Sequence, residues 1–241
     1  MTDAGKGLND DLVEMLQAMR QAERDIFGAL DPVSRDSPMR PNDWSPKDHQ
    51  AHLTAWKARQ AQRFAAAREG VEIPAVHDGG ETDELNAEFQ AARADWAWDA
   101  VQAEADQVGA QLETEIGATD PDLIAGSERL LAGTLGNGAF HAMTHFGWLV
   151  EADVGVDAAR VSEYVDEVVG QIRASSLPRS EIGASIYNAA CFRALHGQLD
   201  PARELLREAF QLDPELVTFS REDDDLIELR DEIDQLAQSG N

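Results

Sequence analysis

The feature that most constrains this chain is a long stretch without charge. The 21 residues from Leu130 to Val150 contain no Asp, Glu, Lys or Arg, although 27% of the chain is charged. About 20 apolar residues suffice to span a bilayer. This stretch, however, holds Asn137, four glycines, two threonines and two histidines, which are costly in a membrane-spanning helix. We therefore expect it to form the central, fully buried helix of a helical bundle in water.

The charge of the chain is strongly acidic and unevenly distributed. The 241 residues carry a net charge of −26. Residues 69–128 contain 16 acidic side chains and one basic side chain, and residues 156–241 contain 18 and 8, whereas the other two segments are almost neutral. Such a chain repels nucleic-acid phosphates and anionic membrane surfaces. We expect neither nucleic acid nor membrane as a partner.

The cysteine content and the N-terminal residues indicate the cellular compartment in which the protein is expected. Cys191 is the single cysteine, which excludes an internal disulfide and a metal site built from several cysteines. The first residues lack the apolar core of a signal peptide. Both features predict a cytoplasmic protein.

Helical periodicity runs through the sequence, and no alternating β-branched run interrupts it, so we predict an all-α fold. A first amphipathic helix is marked by Leu12, Met15, Met19, Ile26 and Leu30. A second helix begins after Ser45, because Ser45, Pro46 and Asp48 form a capping-box pattern, and it extends to about residue 68. Further helices are predicted over about 82–116, 130–150 and 158–174.

Two histidines lie four residues apart in the charge-free stretch. His141 and His145 therefore fall on one helix face, one turn apart. Burying two imidazoles without partners costs about 1–3 kcal/mol each, and a bound metal ion would satisfy both. His52, on the second helix, is a third candidate ligand if the two neutral helices pack together. A structural role in the core is the alternative for each of them.

The residues around these histidines resemble the DinB-like four-helix bundle superfamily. The second helix of that family carries a Trp-x-x-x-Asp…His-Leu-x-x-Trp pattern, and the fourth carries His-x-x-x-His. The matching positions here are Trp44, Asp48, His52, Leu53, Trp56, His141 and His145. The sequence Glu84-Leu85-Asn86 is similar to the branch that contains colibactin-resistance-type proteins. The resemblance covers about residues 8–155.

The resemblance implies an up-up-down-down four-helix bundle with a divalent metal ion, zinc or nickel, bound by His52, His141 and His145. It also implies a metal-dependent hydrolase, or a transferase that uses a low-molecular-weight thiol, acting on a small-molecule substrate. Asp48 and His49 are candidates for accepting a hydrogen bond from the second ring N–H of a metal-bound histidine. No motif identifies a catalytic residue or a substrate.

The C-terminal residues 156–241 are predicted to form a linker helix, a single helical hairpin and a closing helix. The hairpin resembles a tetratricopeptide repeat, because small residues and a proline occur at that repeat's spacing: Ala190, Gly197, Ala202, Ala209 and Pro214. Arg193 and Cys191 depart from its usual pattern. One repeat needs a neighbouring surface to cover it. It would serve as a structural cap, a homodimer surface or a site for a protein partner, so a non-catalytic scaffold is the alternative to an enzyme.

Overall fold

The computed structural model describes residues 7–39, 44–75 and 79–238, and these residues form helices joined by loops, without a strand, which agrees with the predicted all-α class. An isolated β-bridge joins Met39 and Trp44. The helices are α1 (Leu8–Gly28), α2 (Pro46–Glu69), α3 (Gly79–Arg93), α4 (Trp98–Gly117), α5 (Pro121–Ala125), α6 (Glu128–Leu135), α7 (His141–Glu151), α8 (Ala158–Ala174), α9 (Arg179–Leu195), α10 (Leu199–Leu212), α11 (Leu216–Ser220) and α12 (Ile233–Gln238). A π-helical turn (Gly136–Phe140) joins α6 to α7, and a 3-10 segment (Asp224–Glu232) precedes α12.

The chain forms two compact units, Met1–Tyr164 and Val165–Asn241, with the division inside α8. In the first unit α2 packs against α4, α3, α6 and α7, and α1 packs against α4 and the π turn. The five apolar residues that marked α1 in the sequence are each at most 3% exposed. The first unit therefore has its core between α1, α2, α4 and the charge-free stretch.

Helix α2 begins where the capping box predicts. The Asp48 backbone N–H donates to Ser45 Oγ (3.2 Å), and the Ser45 backbone N–H donates to Asp48 Oδ2 (2.9 Å). Both donors would otherwise be unpaired at the helix start. At the other end Gly70 adopts the left-handed conformation, with φ of 68°, which glycine accepts without strain. These two ends fix the register of α2 and hence the position of its histidines.

The prediction of one long helix over about residues 82–116 is wrong. The chain forms α3 and α4 with a break at residues 94–97, where Ala97 is extended (φ −69°, ψ 151°). The break lets Trp98 start α4 and pack near Phe27 of α1, with ring centroids 6.4 Å apart. Trp96 remains 37% exposed, beside the Arg93 guanidinium. Periodicity alone joined the two helices because apolar residues continue across the break.

The charge-free stretch is helical along its whole length, and most of it is buried, although Thr144 is exposed. The π turn in its middle was not predicted. A π turn shifts backbone hydrogen bonds by one residue, and here the Tyr164 hydroxyl donates to the Ala139 carbonyl (3.1 Å). At Gly138 a Cβ atom would lie 2.3 Å from Leu16 Cδ2, so glycine permits the close approach of α1. Among the described residues, every helix is too short or too polar to cross a membrane.

The second unit is built around the contact between α9 and α10. Three of the small residues singled out in the sequence, Ala190, Ala202 and Ala209, are fully buried. Gly197, in the turn between the two helices, has φ of 70°. Arg193 is 3% exposed and its guanidinium pairs with Asp166 Oδ1 (2.7 Å). The small residues thus lie where two helices approach closely.

Candidate metal centre

The candidate centre lies where α2 packs against α7 in the first unit. Helix α2 supplies His49 and His52, one turn apart, and α7 supplies His141 and His145. The π turn immediately precedes His141 and sets the rotation of α7 about its axis. The capped start of α2 and the π turn therefore place two pairs of imidazoles face to face.

Three imidazole nitrogens converge on one point. His52 Nε2 lies 3.0 Å from His141 Nε2, and His145 Nε2 lies 3.1 Å from the same atom. His52, His141 and His145 offer ligand atoms that all lie within 4.8 Å of one another. The three residues that the sequence analysis chose as ligands are thus brought together.

These separations suit a metal ion. Zinc–nitrogen bonds of about 2.0–2.1 Å in tetrahedral geometry place two ligand nitrogens about 3.3–3.4 Å apart, a few tenths of an ångström more than observed. Hydrogen bonding alone satisfies the arrangement poorly, because His141 Nε2 faces two other Nε2 atoms and has either one proton or one lone pair to offer. A divalent cation would accept a lone pair from all three. The three-histidine group can therefore hold a metal ion.

A fourth histidine, His49, contacts the ring nitrogen of His145 that does not face the other two candidate ligands. His49 is fully buried, and its Nδ1 lies 2.6 Å from His145 Nδ1. If His145 Nε2 gives its lone pair to a metal, its Nδ1 carries the proton and donates to His49 Nδ1. Ligand imidazoles in metal proteins usually donate their second N–H in this way. His49 Nε2 and His52 Nδ1 are buried and lack hydrogen-bond partners.

Burial keeps these imidazoles neutral. Desolvation lowers the pKa of His49 from 6.5 to about 4, although the nearby Asp48 carboxylate opposes the shift. Desolvation, with smaller contributions from His141 and His49, lowers the pKa of His52 to about 3. The pKa of His141 falls to about 4, through burial and then the charge of Lys57, and the pKa of His145 falls well below its usual value. Neutral imidazoles have the free lone pairs that a metal ion requires.

Three tryptophans contact the histidines, and a phenylalanine packs against one of these tryptophans. The Trp44 ring lies 4.8 Å from His52 and 5.5 Å from His49, and the Trp148 ring lies 4.8 Å from His145. Trp56 lies 6.4 Å from both His52 and His141 and 5.7 Å from Phe89. The sequence analysis placed Trp44 and Trp56 near the site through the family pattern, but gave no role to Trp148 or Phe89.

Asp48, the other candidate supporting residue, lies in the cap of α2. Its Oδ2 accepts hydrogen bonds from the backbone N–H and the hydroxyl of Ser45, at 2.9 and 2.7 Å. His196 lies away from this group, in the second unit, where it is half-buried and stacks on Phe192 with ring centroids 4.2 Å apart. His77 lies outside the described residues.

A buried ion pair near the centre was missed by sequence reasoning. Lys57 of α2 pairs with Glu23 of α1, and both residues are less than 10% exposed. They line a cavity of about 20 Å³ together with Gln50, Thr54 and Gln102, enough for about one water molecule. The two residues are 34 positions apart in the sequence, so no local sequence pattern predicts that they pair.

A second group of ligand-type side chains lies in the second unit. Cys191, Asp223 and Asp225 are close enough to share an ion. However, Asp223 Oδ2 accepts a hydrogen bond from the Tyr187 hydroxyl (2.6 Å), and the Cys191 thiol lies 3.7 Å from the same oxygen. Burial, and then the charge of Asp223, raises the pKa of Cys191. A thiol that stays protonated is a poor metal ligand, so this group is a hydrogen-bonded cluster.

The fold and the site together define an all-helical protein with a three-histidine group that can hold a metal ion. Comparison with known proteins does not extend this description: no protein-family model, curated protein or solved structure matches the chain.

Proposed function

We propose that this protein is a divalent-metal-dependent enzyme that acts on small molecules. The observation that carries the proposal is the convergence of three neutral imidazole nitrogens from His52, His141 and His145. Three protein ligands leave at least one coordination position for water or substrate, as catalytic metal sites require. Zinc or nickel is the proposed ion.

The bound ion would supply Lewis acidity, which lowers the pKa of a water molecule or of a thiol enough to give a nucleophile near neutral pH. The protein's own residues set the conditions for this chemistry. His49 Nδ1 accepts a hydrogen bond from the Nδ1–H of His145. This bond holds the His145 ring in the orientation that presents Nε2 to the metal ion. The Trp44 and Trp148 rings limit the access of bulk water to the imidazoles.

We further propose that residues 8–155 form an up-up-down-down bundle of the DinB-like superfamily. The support is local. Asp48, which belongs to the family pattern, lies in the cap at the start of α2, and the candidate ligands come from one early helix and from a later helix that packs on it. The reaction would then be a hydrolysis or a transfer that uses a low-molecular-weight thiol, and residues 156–241 would be a module similar to a tetratricopeptide repeat.

Metal analysis of the full chain, purified without a histidine tag and reconstituted with zinc or nickel, tests the proposal. We expect about one equivalent per chain, and less than about 0.2 in H145A, since removal of one of three ligands abolishes tight binding. H196A is the matched control, because His196 lies in the second unit and should leave the metal content unchanged. Failure of the unmodified chain to retain metal, or retention by H145A, would overturn the proposal and leave the interaction-protein alternative.

A further inference from the structure

Several aromatic rings lie next to the histidines of the candidate metal centre. Three of the chain's five tryptophans, Trp44, Trp56 and Trp148, contact the imidazoles of the group. Trp56 is almost buried and its Nε1 donates to Asn86 Oδ1 (3.0 Å), which fixes its ring. Trp44, Trp148 and Phe89 are only half-buried. Part of the Trp44 and Trp148 side chains is therefore accessible beside the histidines, and part of Phe89 is accessible beside Trp56.

The accessible rings come from three separate segments. Trp44 precedes α2, Phe89 belongs to α3, and Trp148 lies on α7, one turn after His145. The Trp44 ring contacts His52 and the Trp148 ring contacts His145, so two of these rings lie beside different candidate ligands. His141, whose ring lies 6.4 Å from Trp56, is itself half-buried. A ligand atom at the metal would thus have aromatic surface on more than one side.

Two charged side chains near these rings, Lys57 and Asp48, are held by neighbouring residues. The ring contacts of Trp44, Trp56 and Trp148 among the described residues are with histidines and Phe89. Lys57 is held by Glu23, and Asp48 is held by the Ser45 cap. An anionic group on a ligand would find aromatic surface here and an overall protein charge of −26. An uncharged ring would find dispersion and edge-to-face contacts.

We propose that the metal centre selects small substrates with an uncharged aromatic ring, which packs against Trp44 and Trp148 while a donor atom reaches the metal. This inference rests on the proposed function, since it needs an ion at the three histidines. It adds a class of substrate that the ligand set alone does not specify.

Two hydroxamates test the inference, because they carry the same metal-binding group. Acetohydroxamate presents a methyl group and benzohydroxamate a phenyl ring. Their affinities for the zinc-loaded full chain are measured by calorimetry, with the metal content determined before and after titration. We expect benzohydroxamate to bind about tenfold more tightly, as expected for one or two aromatic contacts.

Variants W44L and W148L should lower this ratio to about twofold or less, with little change for acetohydroxamate. W96L is the matched control, because Trp96 lies against Arg93, 5.6 Å from its ring, and should keep the full ratio. Because W44L and W148L change different segments, the test still works if one of the two variants fails to fold.

The outcomes separate the inference from the proposed function. If the zinc-loaded chain binds both hydroxamates equally, or if W44L and W148L both keep the tenfold ratio, the aromatic selection is wrong and the metal centre stands. If the chain retains no zinc, or if neither hydroxamate binds the zinc-loaded chain, the open metal site itself is wrong, and the inference is overturned with it.

Discussion

His49 and His145 come from different helices, yet their Nδ1 atoms lie 2.6 Å apart in a fully buried contact. At this distance one nitrogen carries the proton and the other accepts it. When His145 keeps its Nε2 lone pair for a metal ion, its Nδ1–H donates to His49 Nδ1, and the proton of neutral His49 then lies on Nε2, which is buried without a partner. The contact between α2 and α7 thus determines which nitrogen of His145 is available.

Replacing His49 should therefore weaken metal binding without removing a ligand. H49L loses the acceptor for the His145 Nδ1 proton, and we expect a 10–100-fold loss of zinc affinity, the usual effect of removing such a partner. H49N, whose amide oxygen can accept the same proton, should recover part of that loss. Competition with a chromophoric chelator measures the affinity. Equal affinities for H49L and the unmodified chain would show that the contact does not support the site.

The Tyr164 hydroxyl should stabilise the π turn that precedes His141. Its hydrogen bond to the Ala139 carbonyl is fully buried, and Y164F removes it. We expect the free energy of unfolding to fall by about 0.5–1.5 kcal/mol, measured by urea denaturation. V33A is a control, because Val33 is 81% exposed and should change stability little. A Y164F chain as stable as the unmodified protein would contradict the role assigned to this bond.

The sequence predicted those parts of the site that depend on local spacing. The cap at Ser45 and the four-residue interval between His141 and His145 are local, and the structure contains both. The burial of His49 was not predictable, because it depends on Trp44 and Trp148, which approach from either side. The break at residues 94–97 was missed for a similar reason: Trp98 packs on a helix some 70 residues earlier in the chain.

The buried imidazoles should make the metal-free protein sensitive to mild acid. The pKa values of His52 and His141 in the folded state are about 3 and about 4, below the 6.5 expected in the unfolded chain. Between those values the unfolded state binds protons that the folded state does not, so stability is complete above pH 6.5 and falls as the pH falls. We expect a loss of about 1.4 kcal/mol per pH unit for each such imidazole below pH 6.

Urea denaturation of the metal-free chain at several values between about pH 5 and pH 7 checks this expectation, in a range where most carboxylates stay ionised. H52Q removes one of the titrating groups and should reduce the slope, whereas V33A, at an exposed apolar residue, should leave it unchanged. A stability that did not vary across this range would mean that the four imidazoles are not held neutral by burial.

Removing one partner of the ion pair between Lys57 and Glu23 should destabilise the protein, whereas replacing both partners with apolar residues should cost little stability. E23A leaves the Lys57 ammonium buried without a partner, which costs about 3–5 kcal/mol. The double variant E23L/K57M replaces both charges with apolar groups and should recover most of that loss. Urea denaturation of E23L, K57M and the double variant gives the coupling. Additive losses would show that the two charges do not depend on each other.

The Cys191 thiol should be unreactive in the folded protein. It is 5% exposed, and burial together with the Asp223 carboxylate raises its pKa, so the reactive thiolate is scarce even at pH 8. We expect Ellman's reagent to label the native chain at least 100-fold more slowly than the chain in guanidinium chloride. D223N removes the repelling charge and should speed the labelling, and C191S gives the background. Rapid labelling of the native chain would show that the cluster of Cys191 with Asp223 is open to solvent.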